Sequence, residues 1–297
     1  MQLQLRRIGC QRLCLRVYKF KSGKIDRLPV PVLQRRHCTA LLHNYKATIS
    51  YDGTDYNGFQ LQLGVRGRTI QGELEKALTL VTQNDRAELK VTASGRTDAG
   101  VHASGQVVNF FSGKGHCPSR LWHSMNRLLP PDIRVLDVQP VGPDFNARFS
   151  ALSKEYRFQI CTGPLHDPFL WRYSQHVYLP LDVEAMRQAA KCFLGSHDFT
   201  QFASTYPVGM NPRKTLTRFE VVEVRPGFLR LEVQGSGFLY RMVRHMVGAL
   251  IEVGKGTMKE AQIEELLALG SKKFPGEKHR GWTVADAKGL FLHEVWY

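Results

Sequence analysis

The order of its secondary-structure signals constrains this chain more than any other feature of the sequence. From residue 45 onward, short segments rich in β-branched and aromatic residues alternate with segments whose apolar residues recur at helical spacing. Residues 45–51 predict the first strand, and Ile70, Leu74 and Leu78 predict a helix over about 69–83. The first half of this region is therefore predicted to alternate strands and helices.

The second half of the region repeats this layout without visible sequence identity. Residues 156–161 predict a strand, and residues 183–194 predict a helix that ends at Gly195. Two αβ halves of similar size are the economical interpretation of the whole pattern. We expect an N-terminal αβ subdomain over 45–150 and a C-terminal αβ subdomain over 151–297.

Three local predictions concern the ends of these elements. Residues 89–94 predict a strand. Residues 238–253 predict a helix that is unusually basic. Thr257 and Glu260 have the spacing of a capping box, which predicts where the next helix begins.

The composition is that of a globular protein. Hydrophobic residues make up 43% of the 297 residues and charged residues 23%, which excludes a mostly disordered chain. No uninterrupted apolar run reaches the roughly 18 residues of a membrane-spanning helix. The six cysteines include no C-x-x-C pair, so we expect reduced thiols and neither a disulfide framework nor a zinc site.

The formal net charge of +15 is distributed unevenly along the chain. Residues 1–44 contain ten basic residues and one acid, Asp26, and so contribute +9, which leaves +6 for the remainder. An Arg-rich, acid-poor leader is typical of an organellar transit peptide, which would place the protein in a mitochondrion or plastid. A basic RNA-contacting arm is the alternative, and the protein would then be cytoplasmic or nuclear.

Residues 92–102 form a loop between two predicted strands. Gly95 and Gly100 permit tight backbone turns, so Asp98 can be presented at the edge of a sheet. Considered alone, an aspartate in such a loop is more often a turn former, and His102 is equally compatible with a structural histidine.

The whole string Gly95-Arg-Thr-Asp-Ala-Gly-Val-His102, followed by Gly105-Gln-Val-Val108, closely resembles the active-site motif of TruA-type tRNA pseudouridine synthases. The resemblance covers nearly all of 45–297 and leaves 1–44 outside. Its further motifs occur in the expected order: Tyr51-Asp-Gly-Thr54, Asn57-Gly-Phe-Gln60, Ile70-Gln71, Glu75-Lys-Ala-Leu78, Asp144-Phe-Asn-Ala-Arg-Phe-Ser150, Lys154-Glu-Tyr-Arg157, Leu194-Gly-Ser-His-Asp-Phe-Thr200, Arg213-Lys-Thr215 and Phe238-Leu-Tyr-Arg-Met-Val-Arg244.

This resemblance implies both a fold and an activity. The fold is α+β, with two RRM/ferredoxin-like halves that form one continuous mixed or antiparallel sheet flanked by helices, and with the active-site cleft between the halves. The activity is isomerisation of uridine to pseudouridine in tRNA, with family targets at positions 38–40 of the anticodon stem-loop and with the target base flipped out of its stack. The family acts as a homodimer, and neither a metal nor another cofactor is implied.

The resemblance also assigns the catalytic residue and a cationic neighbour in the substrate-binding site. The essential aspartate of the motif corresponds to Asp98, and the family's cationic partner corresponds to Arg244. A carboxylate acts as a nucleophile only when it is ionised, and a cationic neighbour favours that form. Attack on the ribose, attack on the base and removal of a ribose proton all stay open as roles for Asp98.

Five further residues are predicted to bind the substrate, three from the resemblance and two from their spacing on a helix. Tyr156 matches the tyrosine that contacts the target base, where an aromatic face replaces lost stacking partners. Arg96 would help to hold the flipped nucleotide, and His102 ends the same motif. Arg241 precedes Arg244 by three residues and His245 follows it directly, so the three would share one face of a helix and suit phosphate contact.

Alternatives to this enzyme are weaker. A catalytically silent RNA-binding protein on the same fold would not need to keep Asp98, Tyr156 and Arg244 together. A phosphatase that used Asp52 would need another aspartate two residues earlier, where Ser50 stands. A zinc protein would depend on adjacent His-Cys pairs that lack zinc spacing: His37-Cys38 and His116-Cys117. Residues 210–213 and 120–127 depart from the family pattern, which affects substrate choice more than chemistry.

Overall fold

The computed structural model describes residues 42–61, 67–205, 211–272 and 281–297. The predicted transit peptide or basic arm falls almost entirely outside the described residues. The described residues form ten strands and six helices. The strands are β1 (His43–Tyr51), β2 (Thr92–Ala93), β3 (His102–Ser112), β4 (Ile133–Val141), β5 (Ser153–Thr162), β6 (Gln175–Val177), β7 (Gly195–Asp198), β8 (Arg213–Arg225), β9 (Phe228–Gly235) and β10 (Leu290–Trp296). The helices are α1 (Ile70–Thr82), α2 (Arg86–Leu89), α3 (Pro118–Leu128), α4 (Val183–Lys191), α5 (Met242–Gly254) and α6 (Glu260–Leu269).

All ten strands belong to one mixed sheet. Eight of them follow the order β4-β1-β3-β10-β5-β9-β8-β7, while β2 pairs with β3 and β6 pairs with β5. The β3–β10 and β5–β6 pairs are parallel, and the other pairs are antiparallel. The predicted α+β class, with a large mixed sheet and flanking helices, is confirmed.

The last strand of the chain joins the two halves of the sheet. β10 lies between β3 of the first half and β5 of the second. Leu292 is the register partner of Ala103 on β3 and of Tyr156 on β5. The loop of residues 92–102, called the motif loop below, ends at the start of β3. This end and the strand that carries Tyr156 are therefore only two strand spacings apart, about 10 Å. The predicted division near residue 150 stays a prediction, because the strands on either side of it share this one sheet.

A continuous hydrophobic core lies beneath both halves. Helix α5 is the most deeply buried helix: 11 of its 13 residues are buried. A helix that is apolar on nearly all sides belongs in the interior of a protein. Its burial fixes the position of its amino-terminal end, which faces the functional cavity described below.

The three local predictions were wrong about where the elements begin or how they are capped. In place of a strand over 89–94, residues Arg86–Leu89 form the short helix α2, and β2 covers only Thr92–Ala93. Helix α5 begins at Met242, because Arg241 has a left-handed backbone (φ 57°) that a helix does not continue through. Thr257 and Glu260 do not form the predicted capping box, since the Thr257 hydroxyl donates back to the Glu252 carboxylate at 2.6 Å. Helix α6 begins at Glu260 instead, and Lys259 N donates to Gln262 Oε1 at 2.8 Å.

A bilayer-spanning helix would need both length and apolar character, and no helix in the described ranges has enough of both. This finding concerns only the part of the chain that the structure describes.

We predict that Gly105→Ala destabilises the junction between β3 and β10. A Cβ atom on Gly105 would overlap the main-chain carbonyl oxygen of His293, and backbone cannot move aside cheaply. Overpacking of this kind costs about 1–3 kcal/mol of the free energy of unfolding, which urea denaturation measures. Gly142→Ala is the matched control, because nothing lies within 4 Å of a Cβ at Gly142. Equal stability of the two variants would contradict this account of the junction.

Candidate active site

A cavity of about 1000 Å³ opens beside the motif loop. The first half of the chain lines it with residues 94–99, and the second half lines it with Lys154, Tyr156 and residues 238–244. Ligand cavities in proteins usually measure about 300–1,000 Å³, so this one is large enough for a nucleotide and part of its surroundings.

Two glycines allow the motif loop to take its shape. Gly100 lies in the motif loop itself, and Gly58 lies in the loop that follows β1. Val101 N donates to Asp98 O at 3.1 Å and closes a turn in which Gly100 has a φ of +77°. The loop that follows β1 packs directly against this turn, and Phe59 N donates to Thr97 O at 3.0 Å. A Cβ on Gly58 would lie 2.8 Å from Thr97 O, so only glycine permits this approach. The two loops together hold Asp98 at the cavity.

Buried hydrogen bonds hold the start of the motif loop against the interior of the protein. The side chain of Gln106 is fully buried; it accepts from Ser94 Oγ at 2.7 Å and donates to Gly95 O at 2.8 Å. The Tyr51 hydroxyl lies 2.8 Å from Thr97 Oγ1. Burial raises the pKa of Tyr51 to about 12, so its phenol keeps its proton at neutral pH. Satisfied buried networks of this kind hold a loop in one conformation.

Asp98 meets Arg244 across the cavity. Arg244 Nη1 donates to Asp98 Oδ2 at 3.2 Å, and Arg244 Nε donates to Ala285 O at 2.6 Å. The guanidinium is therefore held on two sides. Burial lowers the pKa of Arg244 and the Asp98 carboxylate opposes that effect, but an arginine stays protonated at neutral pH. The carboxylate of Asp98 thus has a fixed cationic neighbour, as a nucleophile or base requires.

The amino-terminal end of α5 brings a second arginine to the same carboxylate. Arg241 Nε lies 3.9 Å from Asp98 Oδ2, and the Arg241 guanidinium stacks on the Tyr240 ring at 5.0 Å. The left-handed backbone of Arg241 ends the preceding loop and starts the helix immediately afterwards. The positive end of the α5 dipole also faces the cavity, so the charge environment of Asp98 is cationic.

Tyr156 forms part of the cavity wall from the second half of the chain. Its ring is 8% exposed and meets Phe238 edge to face, with 5.0 Å between the ring centroids. Burial raises the pKa of Tyr156, and the nearby Tyr51 and Asp98 raise it further. The side chain is therefore a neutral phenol that offers an aromatic surface. Arg96 also lines the cavity and is exposed to solvent.

Two predicted histidines do not reach the cavity. His102 is 1% exposed: its Nδ1 accepts from Gly53 N at 3.0 Å, and its ring stacks on Phe291 at 4.7 Å between centroids. Burial lowers the pKa of His102, which favours the neutral ring. His245 is equally buried, with Nε2 2.8 Å from Ser204 Oγ. His102 is therefore placed as a packing residue behind the loop, and His245 points away from the face that Arg241 and Arg244 present.

Sequence reasoning assigned no role to two residues that support the site. Gln106 and Lys154 both stand in quoted motifs, but the motifs alone do not tell what their side chains contact. A polar residue within the apolar strand segment Gly105–Val108 signals a buried network, and Lys154 shares a strand face with Tyr156 because it precedes it by two residues. Among the described residues, one group could hold a metal ion, and none of its members lines the cavity: Cys192, Glu260 and Glu264.

The chain resembles known proteins of one kind over most of its length. Residues 47–150 and 189–297 match the sequence profile described as tRNA pseudouridine synthase. The tRNA pseudouridine synthase A 1 of Protochlamydia amoebophila (strain UWE25) is 40% identical over 259 residues, which cover 86% of this chain and 97% of that protein. The tRNA pseudouridine synthase A of Bacillus pumilus (strain SAFR-032) is 40% identical and that of Bacillus subtilis (strain 168) is 39% identical; each alignment covers 85% of this chain and 98% of the relative.

We predict that Asp98 and Arg244 are energetically coupled. In a double-mutant cycle with Asp98→Asn and Arg244→Met, the coupling in the free energy of unfolding should be about 1–2 kcal/mol, because the pair is partly removed from water. Urea denaturation of the three variants and the parent measures it.

An exposed ion pair provides the reference for this cycle. Arg187 Nη1 lies 3.3 Å from Glu184 Oε2 on the surface of α4, and solvent screening makes the coupling of such an exposed pair weak. A coupling between Asp98 and Arg244 no larger than that of the reference pair would contradict the prediction.

Proposed function

The chain belongs to the tRNA pseudouridine synthase family, whose members isomerise uridine to pseudouridine in tRNA, and we propose that it performs this reaction with Asp98 as its catalytic carboxylate. The single observation that carries the proposal is the contact of 3.2 Å between Asp98 and Arg244 inside the cavity. The two residues are 146 positions apart in the sequence, and a turn-forming aspartate has no need of such a partner.

The reaction exchanges one glycosidic bond for another within the same nucleotide. The bond from the ribose to the base nitrogen breaks, the base turns, and a bond from the ribose to a base carbon forms. That carbon loses its proton and the freed nitrogen gains one, so the composition of the nucleotide is unchanged. No electron is gained or lost. The cavity offers the reaction a carboxylate, a guanidinium held in place and an aromatic wall.

Base flipping is part of the proposal. A uridine within an RNA helix is stacked on its neighbours, and a carboxylate inside a cavity reaches it only after it leaves the stack. The cavity of about 1000 Å³ accommodates the extruded nucleotide. The Tyr156 ring replaces lost stacking, and exposed Arg96 beside Asp98 is suited to contact the RNA at the cavity entrance.

The finer properties of the substrate and of the assembly are proposed from the resemblance. They are uridines at positions 38–40 of the anticodon stem-loop, a homodimer that shares the tRNA between its subunits, and an organellar location given by residues 1–44. Pseudouridine mapping of total and organellar RNA, with and without the protein, tests activity, position and compartment together. A map that does not change would overturn the proposed function.

We predict that Asp98→Asn abolishes catalysis and preserves RNA binding. The amide cannot act as a nucleophile or base, so pseudouridine formation should fall by roughly 10³-fold or more, whereas binding depends on dispersed phosphate contacts and should change little. Tritium release or sequencing measures the first quantity, and filter binding measures the second.

Asp137→Asn is the control for this prediction, because Asp137 is an exposed carboxylate on β4 outside the cavity. Its activity should equal that of the parent. Full activity of Asp98→Asn would refute the assignment, and would leave a different residue as the catalytic group.

We predict that the ring of Tyr156, more than its hydroxyl, supports the reaction. Tyr156→Phe keeps the aromatic surface and should retain activity within about tenfold of the parent. Tyr156→Leu loses a stacking contribution of about 1–3 kcal/mol, so kcat/KM should fall by roughly 10- to 100-fold. Single-turnover assays compare the two variants. Equal losses in both would assign the effect to the hydroxyl.

A further inference from the structure

Lys154 places an ammonium group in the cavity wall, against the start of the motif loop. The residue lies on β5, two positions before Tyr156, so both side chains project from the same face of the sheet. Lys154 Nζ donates to Ser94 O at 2.5 Å and lies 3.4 Å from the position that a Cβ on Gly95 would take. This contact fixes the position of the ammonium. An ammonium has three donors, so two remain for a ligand.

The charged groups that act on Lys154 are themselves cationic. They are Arg148, which also lines the cavity, and Lys214 on β8. Glu155 follows Lys154 but projects from the opposite face, where Arg157 Nε contacts it at 2.7 Å. Asp98 lies in the same cavity and is in contact with Arg244.

Lys154 therefore lacks the carboxylate partner that a partly buried cation normally has. Across the described ranges, no carboxylate oxygen lies within 4.0 Å of its Nζ atom. Burial, with the repulsion of Arg148 and Lys214, lowers the pKa of Lys154 to about 8. A cation held in such a place, next to a second cation and without a carboxylate, is suited to an anion that arrives with the substrate.

We propose that Lys154, together with Arg148, binds a phosphate group of the substrate RNA next to the uridine that Asp98 and Tyr156 receive. The inference rests on the proposed function, because it takes RNA as the ligand of this cavity. A phosphodiester carries one negative charge beside every nucleotide, so a flipped uridine brings an anion to the cavity wall. The Ser94 carbonyl and the phosphate would then share the donors of the ammonium.

The proposal makes RNA affinity depend on pH in a defined direction. A bound phosphate favours the charged amine and raises the pKa of Lys154 above its value in the free protein. The contact therefore makes its full contribution to RNA affinity when the pH is below about 8. That contribution declines as the pH rises through the higher pKa that Lys154 has in the complex. An arginine at this position would keep its charge and would show no such decline.

The experiment measures binding of an unmodified tRNA transcript to the full-length chain. Asp98→Asn serves as the background, so that the RNA is bound but not converted. Three substitutions are introduced separately into this background: Lys154→Met, Lys154→Gln and Lys154→Arg. Lys76→Met, which removes an exposed lysine of α1, is the control. The dissociation constant is measured from about pH 7 to about pH 9, and at salt concentrations between about 50 and 200 mM.

The proposal expects a specific pattern. Lys154→Met and Lys154→Gln should weaken binding at pH 7 by roughly tenfold and should reduce the salt slope by about one phosphate contact. Both should lack the decline in affinity above pH 8 that the lysine background shows. Lys154→Arg should keep its affinity at pH 9, and Lys76→Met should follow the background throughout.

The opposite pattern overturns the inference. If the two neutral variants fold, by near-ultraviolet circular dichroism, and bind with the affinity, salt slope and pH dependence of the background, Lys154 contacts no phosphate. A wild-type chain that binds this tRNA but forms no pseudouridine in it would instead contradict the proposed function. The two failures are therefore distinguished by separate measurements.

Discussion

The insertion of β10 between β3 and β5 is the constraint on which the site depends. The strand comes from the end of the chain, yet Leu292 pairs with Ala103 on one side and with Tyr156 on the other. Hydrogen bonds between strands fix both distances to within a small tolerance. Without this strand, nothing in the sheet would fix the position of the loop that carries Asp98 relative to the strand that carries Tyr156 and Lys154.

A second constraint comes from the buried helix α5. Because apolar side chains cover nearly all of its surface, the core fixes its position, and its amino-terminal end is thereby fixed against the cavity. Arg241 and Arg244 project from that end towards Asp98. The carboxylate of Asp98 thus obtains its cationic surroundings from packing that occurs elsewhere in the protein, and groups fixed in this way need not reorganise when a substrate binds.

The total charge of the chain is a poor guide to this site. Residues 1–44 contribute most of the +15, and they lie almost entirely outside the described residues. The cations that matter are few and specifically placed, and burial alters how they behave. Arg244 is held by Ala285 and Asp98, whereas Lys154 is held by a backbone carbonyl and faces other cations. Position and desolvation decide what each charge can do.

The sequence by itself determined the alternation of strands and helices, the family resemblance and the identity of Asp98, Tyr156 and Arg244 as residues to examine. These follow from local periodicity and from ordered motifs, which need no knowledge of distant contacts. Prediction from the sequence failed where residues that are close in the chain have side chains that point in different directions. His102 ends the motif but points into the core, and His245 is adjacent to Arg244 but faces Ser204.

Only the tertiary structure decided which of these side chains meet. Strand order, register and the burial of α5 are long-range properties, and a side chain's direction depends on them as much as on its position in a motif. The placement of Lys154 against Ser94 is of this kind, since it joins residues 60 positions apart through two different parts of the sheet. The motifs therefore identify the polar and charged groups of the site. The fold sets the distances between them and removes them from water, and both determine how these groups can react.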